Sequence, residues 1–423
     1  MLSYQELIHQ MNQSMLAAES DRVALLRYIL DQLGHPESKY HIVHIVGTNG
    51  KGSTGTLVGN LLMNSGEKVG HFASPAIHDD REQILLQNQM ISETNFVTTY
   101  EKIMAKLTVE FDMSSLSIFE WFVIIMLQYF ADQEVTWAII EAGLGGKLDA
   151  TNAINAPLLT IITNVDLDHT AILGNTIKMI AYNKSDVIKQ NTTVFMAPNQ
   201  TDDTKQVMVN RVIERNAKEL IDSSYVSVKI QRENLTGFDL QISSYYLDNV
   251  EFHFDMLGEF QIDNLQTVIA VYDWLVQNNF GVGLQSLKET LTTTKIEGRM
   301  QVINHQPTVI LDAAHNPDST KRLISSLKHL YPTENLKFIL GFLQDKNYLE
   351  MAKLYHTISK EIVVVTPNNS KRALSASRLQ KEIPGSQIAA NAQIGLETLI
   401  KQSGPNDVIV VTGSFYTIKE IEA

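Results

Sequence analysis

The run His41-Ile-Val-His-Ile-Val46 passes directly into Gly47-Thr-Asn-Gly-Lys-Gly-Ser-Thr54, and Leu57, Val58, Leu61 and Leu62 follow at helical spacing. The order is strand, glycine loop, helix. Two more apolar runs end in the same kind of chemistry. Val135 to Ile140 leads into Glu141-Ala-Gly-Leu-Gly-Gly146, and Leu158 to Val165 leads into Asp166-Leu-Asp168-His169. Strands that are apolar at every position, rather than at alternate ones, are buried on both faces. This pattern predicts a parallel sheet with helices on each side. Ligands of such sheets sit beyond the carboxyl ends of the strands. The three polar strand ends are therefore expected to meet at one place.

The rest of the chain divides around this pattern. Residues 1–40 read as helical, from Leu7, Met11 and Met15 and again from Leu25, Ile29 and Leu33. Between Tyr225 and Phe260, the segments Tyr245-Tyr246-Leu247 and Val250-Glu-Phe-His-Phe254 predict a β-hairpin-rich appendage. A second α/β unit begins near Gly298. Its strands are expected at Thr308–Leu311, Lys337–Leu340, Ile362–Val365 and Val408–Val411, with a helix carrying Leu323, Leu327 and Leu330. The boundary falls near residues 296–299, giving domains 1–297 and 298–423.

Composition narrows the function. The 423 residues carry a formal charge of −13. That argues against a nucleic-acid-coating protein, which needs clustered Lys and Arg to displace counterions. It also means that any anion site must create its own local positive potential. The chain has no Cys, so a disulfide framework, a thiolate metal site and a Cys nucleophile are all excluded. The first residues lack the basic and apolar blocks of a signal peptide. The apolar run Phe122 to Leu127 falls far short of the roughly 20 residues that span a bilayer. A soluble cytoplasmic protein is expected.

The loop at 47–54 has the chemistry of a phosphate cradle. Glycines let backbone N–H groups close on phosphate oxygens, and the helix that follows adds partial positive charge. Lys51 supplies a full charge, and Ser53 or Thr54 a hydroxyl for Mg²⁺. The spacing departs from G-x-x-x-x-G-K-[ST]: Ile45 stands at the first glycine, and Gly52 separates Lys51 from the hydroxyl. An ordinary glycine turn before a helix is the plainer alternative.

Further segments make the pattern specific. They are Ser74-Pro75, Glu141-Ala-Gly-Leu-Gly-Gly-Lys-Leu-Asp-Ala-Thr-Asn152, Asp168-His169-Thr-Ala-Ile-Leu-Gly174, Gly298-Arg299-Met300, Leu311-Asp-Ala-Ala-His-Asn-Pro317 and Val411-Thr-Gly-Ser414. With the loop at 47–54, and in this order, the set resembles the Mur ligase superfamily. Within it the chain is similar to folylpolyglutamate synthases and dihydrofolate synthases. The resemblance implies an α/β fold, with a P-loop-type parallel-sheet N-terminal domain and a smaller Rossmann-like C-terminal domain. It also implies an ATP-dependent ligase working in the cleft between them. ATP would phosphorylate a folate glutamyl carboxylate, and the amine of L-glutamate would displace the phosphate.

Residue by residue, the resemblance implies the following site. Asn49, Gly50, Lys51, Gly52, Ser53, Thr54, Asn264, Arg299 and Asp312 hold ATP. Ser74, Glu141, His169 and Lys184 hold Mg²⁺, with Lys184 a candidate for carbamylation, which turns an ammonium into an anionic oxygen ligand. Lys51, Glu141, His169, Lys184 and Arg299 form the catalytic set. Phe119, Glu120, Leu148, Asp149 and Ala150 match segments that contact the pterin, and His315 and Ser414 lie near the glutamate site. A monovalent cation is a further candidate cofactor. The partners are the small molecules folate, L-glutamate and ATP, with neither nucleic acid nor membrane, and the chain is expected to be a monomer.

Each residue also has a plain alternative: a core His, a solvated helix Lys, a hinge salt bridge at Arg299, caps at Asp312, His315 and Ser414, a core aromatic at Phe119. Departures from the family pattern are Ala76, Gln83, Lys147, Asn183 and the stretch Leu16-Ala-Ala-Glu-Ser-Asp-Arg22. They bear on the choice of pterin and on efficiency more than on ATP. A cell-wall ligase acting on a nucleotide-sugar peptide, and a paralogue that binds without turnover, are the competing functions.

Overall fold

The computed structural model describes residues 2–12, 22–108, 113–333, 335–369 and 371–421. Met15 and Leu16 to Asp21 lie outside the described residues, whereas Arg22 is described.

Eight strands build the first sheet: β1 (His41–Val46), β2 (Val69–Phe72), β3 (Ile84–Leu86), β4 (Gln89–Met90), β5 (Trp137–Glu141), β6 (Leu159–Ile162), β7 (Thr193–Met196) and β8 (Glu219–Asp222). Their order is β4-β3-β2-β5-β1-β6-β7-β8. The six from β2 to β8 in that order run parallel, and β3 and β4 add an antiparallel edge. β5 and β6 flank β1 on opposite sides, so the chain leaves this centre in both directions. That switch point opens a crevice at the strand ends.

The apolar runs are buried on both faces, as their lack of alternation predicts. On β1, Ile42 packs into one core and Val43 and Ile45 into another. On β5, Ala138 and Ile140 join the first core and Trp137 and Ile139 the second. Helix Ile118–Asp132 covers one face and is itself buried from Trp121 to Ala131. The apolar run at 122–127 is therefore a core helix, and among the described residues no helix is long and apolar enough to cross a membrane. Helices Lys51–Met63 and Phe260–Gln277 cover the other face.

The hairpin-rich segment forms an antiparallel sheet of β9 (Ser227–Asn234), β10 (Gly237–Ser243) and β11 (Val250–Phe254). Phe238, Leu240, Ile242 and Phe254 enter the same core as Val268 and Leu275, so this sheet is built into the first lobe rather than hung from it. Tyr245 to Leu247 is the connection between β10 and β11, not a strand. Tyr245 stacks on Tyr225 at a centroid distance of 4.3 Å.

The last sheet has the order β12-β13-β17-β14-β15-β16. Its strands are β12 (Gln301–His305), β13 (Thr308–Asp312), β14 (Leu336–Leu340), β15 (Ile362–Val364), β16 (Gln387–Ile388) and β17 (Val408–Thr412). All pair in parallel except β12. Helices Pro317–Leu330 and Tyr348–Ile358 cover one face, and Ala392–Lys401 the other. The expected α/β class, with a parallel-sheet lobe followed by a second sheet-containing lobe, is the observed one.

Gly70 of β2 leaves space for the ring of fully buried Phe130, which a Cβ there would meet at 2.7 Å. Truncating that ring leaves a cavity under the sheet. Phe130→Ala is expected to cost about 3–5 kcal/mol, read as a lowered urea midpoint with an unchanged slope.

Candidate active site

The glycine loop turns at Gly50, whose φ of 90° lies in the left-handed region. Gly50 is also the N-cap of helix Lys51–Met63 and offers no side chain to the helix amides. Those N–H groups therefore face the crevice without an internal acceptor. The loop is tied to the end of β6: Thr48 N donates to Asn164 O at 2.7 Å, and Thr163 Oγ1 donates to Asn49 O at 2.8 Å.

Two ammonium groups meet on one carbonyl. Lys51 Nζ donates to Gly47 O at 3.1 Å, and Lys184 Nζ donates to the same oxygen at 2.7 Å. Burial lowers the pKa of Lys51, while Glu141, Asp168 and Asp149 favour its charge. Burial, and then Lys51 itself, pull Lys184 down to about 7. The crevice thus gathers cationic side chains at the glycine loop of an acidic protein, as an anion site requires.

The acids come from neighbouring strands. Glu141 ends β5 in register with Ile45 of β1 and is buried. Its Oε1 accepts from His71 Nε2 at 2.9 Å. Gly55 of the facing helix makes room for that pair, since a Cβ there would come within 2.9 Å of Glu141 Oε1 and 3.0 Å of His71 Nε2. Asp168 follows β6. Burial would raise its pKa, but Lys346, His315 and His169 outweigh burial and hold it below the ordinary carboxylate range.

The second lobe brings its own groups to the same space. Lys346 Nζ donates to Asp168 at 2.7 Å and to His169 Nε2 at 3.0 Å. Arg299 stacks over Phe415 at 5.0 Å, and Asp312 and Glu141 favour its charge against burial. Asp312 accepts from Met300 N at 3.0 Å and Ala314 N at 2.8 Å. His315 Nδ1 hydrogen-bonds Ala313 O at 2.9 Å, and burial lowers its pKa to about 4. Asn316 Nδ2 bridges Asn49 Oδ1 and Asp168 Oδ2, and Asn49 Nδ2 donates to Asp318 Oδ2 at 2.9 Å. The glycine loop of one lobe is thereby bonded to the helix start of the other.

These groups enclose a cleft of about 370 Å³. Asn49, Gly50, Lys51, Gly52, Ser53, Ser74, Glu141, His169, Lys184, Asn264, Arg299, Asp312 and His315 all line it. The donor set fits a triphosphate, with uncapped amides, two lysines and an arginine. A carboxylate and a hydroxyl in the same lining supply the hard oxygen donors a divalent cation such as Mg²⁺ takes, with an imidazole beside them. His71 engages one oxygen of Glu141, and a carboxylate has a second for a cation. Asn164 Oδ1 is buried in the lining with no hydrogen-bond partner.

Seven residues singled out by sequence do not line the cleft: Thr54, Phe119, Glu120, Leu148, Asp149, Ala150 and Ser414. Thr54 is fully buried, and the helix turns Ser53 toward the cleft instead. Glu120 is held by Arg22 at 2.9 and 2.6 Å and completes a capping box with Ser117. Phe119 packs on Gly143 and against the Phe72 ring. Leu148 is 71 % exposed. Asp149 accepts from Leu144 N at 2.7 Å and Thr151 N at 3.0 Å, so its carboxylate folds its own loop. Ala150 is buried in the turn that follows. Ser414 donates to Gly341 O at 3.0 Å and caps helix Phe415–Ile418. Of the residues assigned to substrate, only His315 faces the cleft.

Other residues were not foreseen. His71 sits inside an apolar strand with no motif around it. Lys346 follows the end of β14 in Gln344-Asp345-Lys346, a polar step after an apolar run that is a readable signal. Asn183, one of the departures, accepts from Gly146 N at 3.0 Å and so braces the Gly145-Gly146 loop.

Comparison with known proteins gives the same picture. Residues 45–272 match the Mur ligase middle domain and residues 298–415 the Mur ligase, glutamate ligase domain. The chain is similar to the dihydrofolate synthase/folylpolyglutamate synthase of Bacillus subtilis, at 27 % identity over 94 % of this chain and 93 % of that one. It is similar to the folylpolyglutamate synthase of Lacticaseibacillus casei, at 28 % over 95 % and 93 %. Among solved structures, the Mycobacterium tuberculosis folylpolyglutamate synthase complexed with ADP superposes with a TM-score of 0.88, 25 % identity and coverage of 99 % and 97 %.

Lys184 supplies a pH test. Its pKa is about 7 in the folded chain and about 10.4 when unfolded. Keeping it buried is most costly below pH 7, and the penalty fades as pH rises toward the unfolded value. Lys184→Met is expected to raise the urea midpoint in CO₂-free buffer, by more at pH 6 than at pH 9. An equal gain at both values would contradict the burial.

Proposed function

The chain belongs to the Mur ligase family, and from that premise we propose that it is an ATP-dependent ligase adding L-glutamate to the glutamyl carboxylate of a reduced folate. The observation that carries this reading is the cleft itself. The first lobe lines it with Lys51, Lys184, uncapped amides and Glu141, and the second lobe with Arg299 and His315. The similarity to proteins named folylpolyglutamate synthase supports the choice of substrates.

In this reading the loop amides and Lys51 bind the β- and γ-phosphates. A folate carboxylate oxygen attacks the γ-phosphorus, the bond to ADP breaks, and an acyl phosphate forms. The amine of L-glutamate then adds to the acyl carbon, loses its proton, and expels phosphate to leave an amide. The protein supplies no nucleophile; it positions groups and stabilises charge. Arg299 brings positive charge from the second lobe, and Asn264 and Asp312 help to hold the nucleotide. Lys346 holds Asp168 and His169 in place. His315, neutral at pH 7, offers Nε2 as an acceptor to the incoming ammonium. Ser74, Glu141 and His169 would hold Mg²⁺, which neutralises phosphate charge when bound. Lys184, with a pKa near 7, has the neutral amine that carbamylation by CO₂ requires, and the carbamate would add an anionic ligand. The two lobes of one chain complete the cleft, so we read a monomer acting in the cytoplasm on small molecules, its first lobe spanning residues 1–297 and its second 298–423.

Some relatives carry both names, so dihydropteroate is the second acceptor to offer. The test is incubation with ATP, Mg²⁺, labelled L-glutamate and either tetrahydrofolate or dihydropteroate. Labelled product and stoichiometric ADP are expected with tetrahydrofolate. ATP binding without folate-dependent ADP release would reject the ligase reading. Lys51→Ala is expected to lower kcat by about 10²–10³-fold, the scale of losing one preorganised charge-stabilising group.

A further inference from the structure

Away from the cleft, three ligand-type side chains from three separate segments converge where the lobes meet. Glu233 lies near the end of β9, Glu259 precedes helix Phe260–Gln277, and His329 is in the last turn of helix Pro317–Leu330. One donor atom from each lies within 4.8 Å of the others, and His329 Nε2 stands 2.9 Å from Glu233 Oε2. We propose that Glu233, Glu259 and His329 form a binding site for a divalent transition-metal ion of the Zn²⁺ type, which fastens the second lobe to the first.

The argument rests on Glu233. Its side chain is only 5 % exposed, yet neither carboxylate oxygen has a hydrogen-bond partner. A buried carboxylate without donors is costly. A protonated His329 answers one oxygen and leaves the other bare. It also leaves Glu259 as a second negative charge beside the first. A divalent ion answers both carboxylates at once. Glu259 is available for this, because it sits at the N-cap position but its side chain caps no helix amide. One imidazole and two carboxylates suit Zn²⁺, which takes N and O donors and keeps a fourth position for water.

Position gives the site a consequence. Arg322 and His329 lie seven residues apart, two helical turns, and so share one face of helix Pro317–Leu330. Arg322 Nη1 already reaches Asp263 Oδ2 at 3.1 Å, in the first turn of helix Phe260–Gln277. An ion at Glu233, Glu259 and His329 adds a second tie between the same two helices. Asp263 and Asn264 line the cleft, so the tie acts on how the lobes close over it.

The test is Zn²⁺ titration of the full chain by calorimetry, without nucleotide and with excess Mg²⁺ present. Wild type, Glu141→Gln, Glu233→Gln and His329→Asn are compared, with circular dichroism as the check on folding. One equivalent is expected in wild type and in Glu141→Gln. In Glu233→Gln and His329→Asn the affinity should fall by more than the roughly 10–100-fold that losing an outer-shell partner costs. Zn²⁺ should raise the urea midpoint of wild type and of Glu141→Gln, but not of His329→Asn. No stoichiometric binding by wild type would overturn the site and leave a plain ion pair. Binding lost only in Glu141→Gln would assign the ion to the cleft and overturn it equally.

Discussion

Everything in the active cleft depends on keeping two lysine ammonium groups together on the carbonyl of Gly47. Lys51 and Lys184 approach that oxygen from a helix start and from a helix end, 133 residues apart in sequence, at 3.1 and 2.7 Å. Like charges at such range in a buried site are tolerable only with compensation nearby. Glu141 and Asp168 provide it from the ends of β5 and β6, with Asp149 behind them. The compensation is partial: burial, and after it Lys51, still pulls Lys184 down to about 7. A bound triphosphate completes it. The unliganded fold thus carries an electrostatic cost at the place where anionic substrate binds, and affinity for that substrate comes in part from relieving it.

The fold makes this arrangement possible through one topological fact. β5 and β6 leave β1 on opposite sides, so three strand ends open into one crevice while their apolar bodies stay buried on both faces. Glycines do the fine fitting. Gly50 turns the loop, and Gly55 leaves space for the His71–Glu141 pair. A side chain at Gly55 would crowd Glu141 and the His71 that orients it.

Much of this was legible in the sequence, for physical reasons that differ from residue to residue. Uninterrupted apolar runs give strands buried on both sides, and the polar residues that end them are those the crevice collects. Lys51, Glu141, His169 and His315 were readable because they lie at or beyond strand ends, whereas Arg299 precedes β12 and is marked only by the resemblance. The residues that the resemblance implies for pterin and glutamate were not readable, His315 apart. Glu120, Asp149 and Ser414 are spent on a capping box with an ion pair, on loop amides and on a helix cap. Residue type and order alone cannot say whether a carboxylate faces a ligand or its own backbone. His71 escaped for the opposite reason: it sits at a strand position where an aliphatic side chain would read equally well, and only its distance to Glu141 gives it meaning. The pattern of the hairpin segment gives its β character but not its place in the first lobe, because the partner of its apolar face, helix Phe260–Gln277, follows it in sequence.

The interface between the lobes is held mainly by polar groups. Its ties are polar and short-range: Asn49 with Asp318 and Asn316, Lys346 with Asp168, Arg322 with Asp263. Each uses a group that a phosphate, a cation or water can replace at similar energy, because hydrogen bonds exchanged for hydrogen bonds change free energy little. The large apolar cores, in contrast, stay within each lobe, apart from Leu257 and Phe260, which pack against the core of the second. Opening therefore exposes little apolar surface, and closing is decided by charge. The groups that join the lobes around Asn49 and Asp168 are the same ones that border the phosphate loop, so ligand binding and lobe closure draw on a single set of hydrogen bonds and are coupled by sharing them.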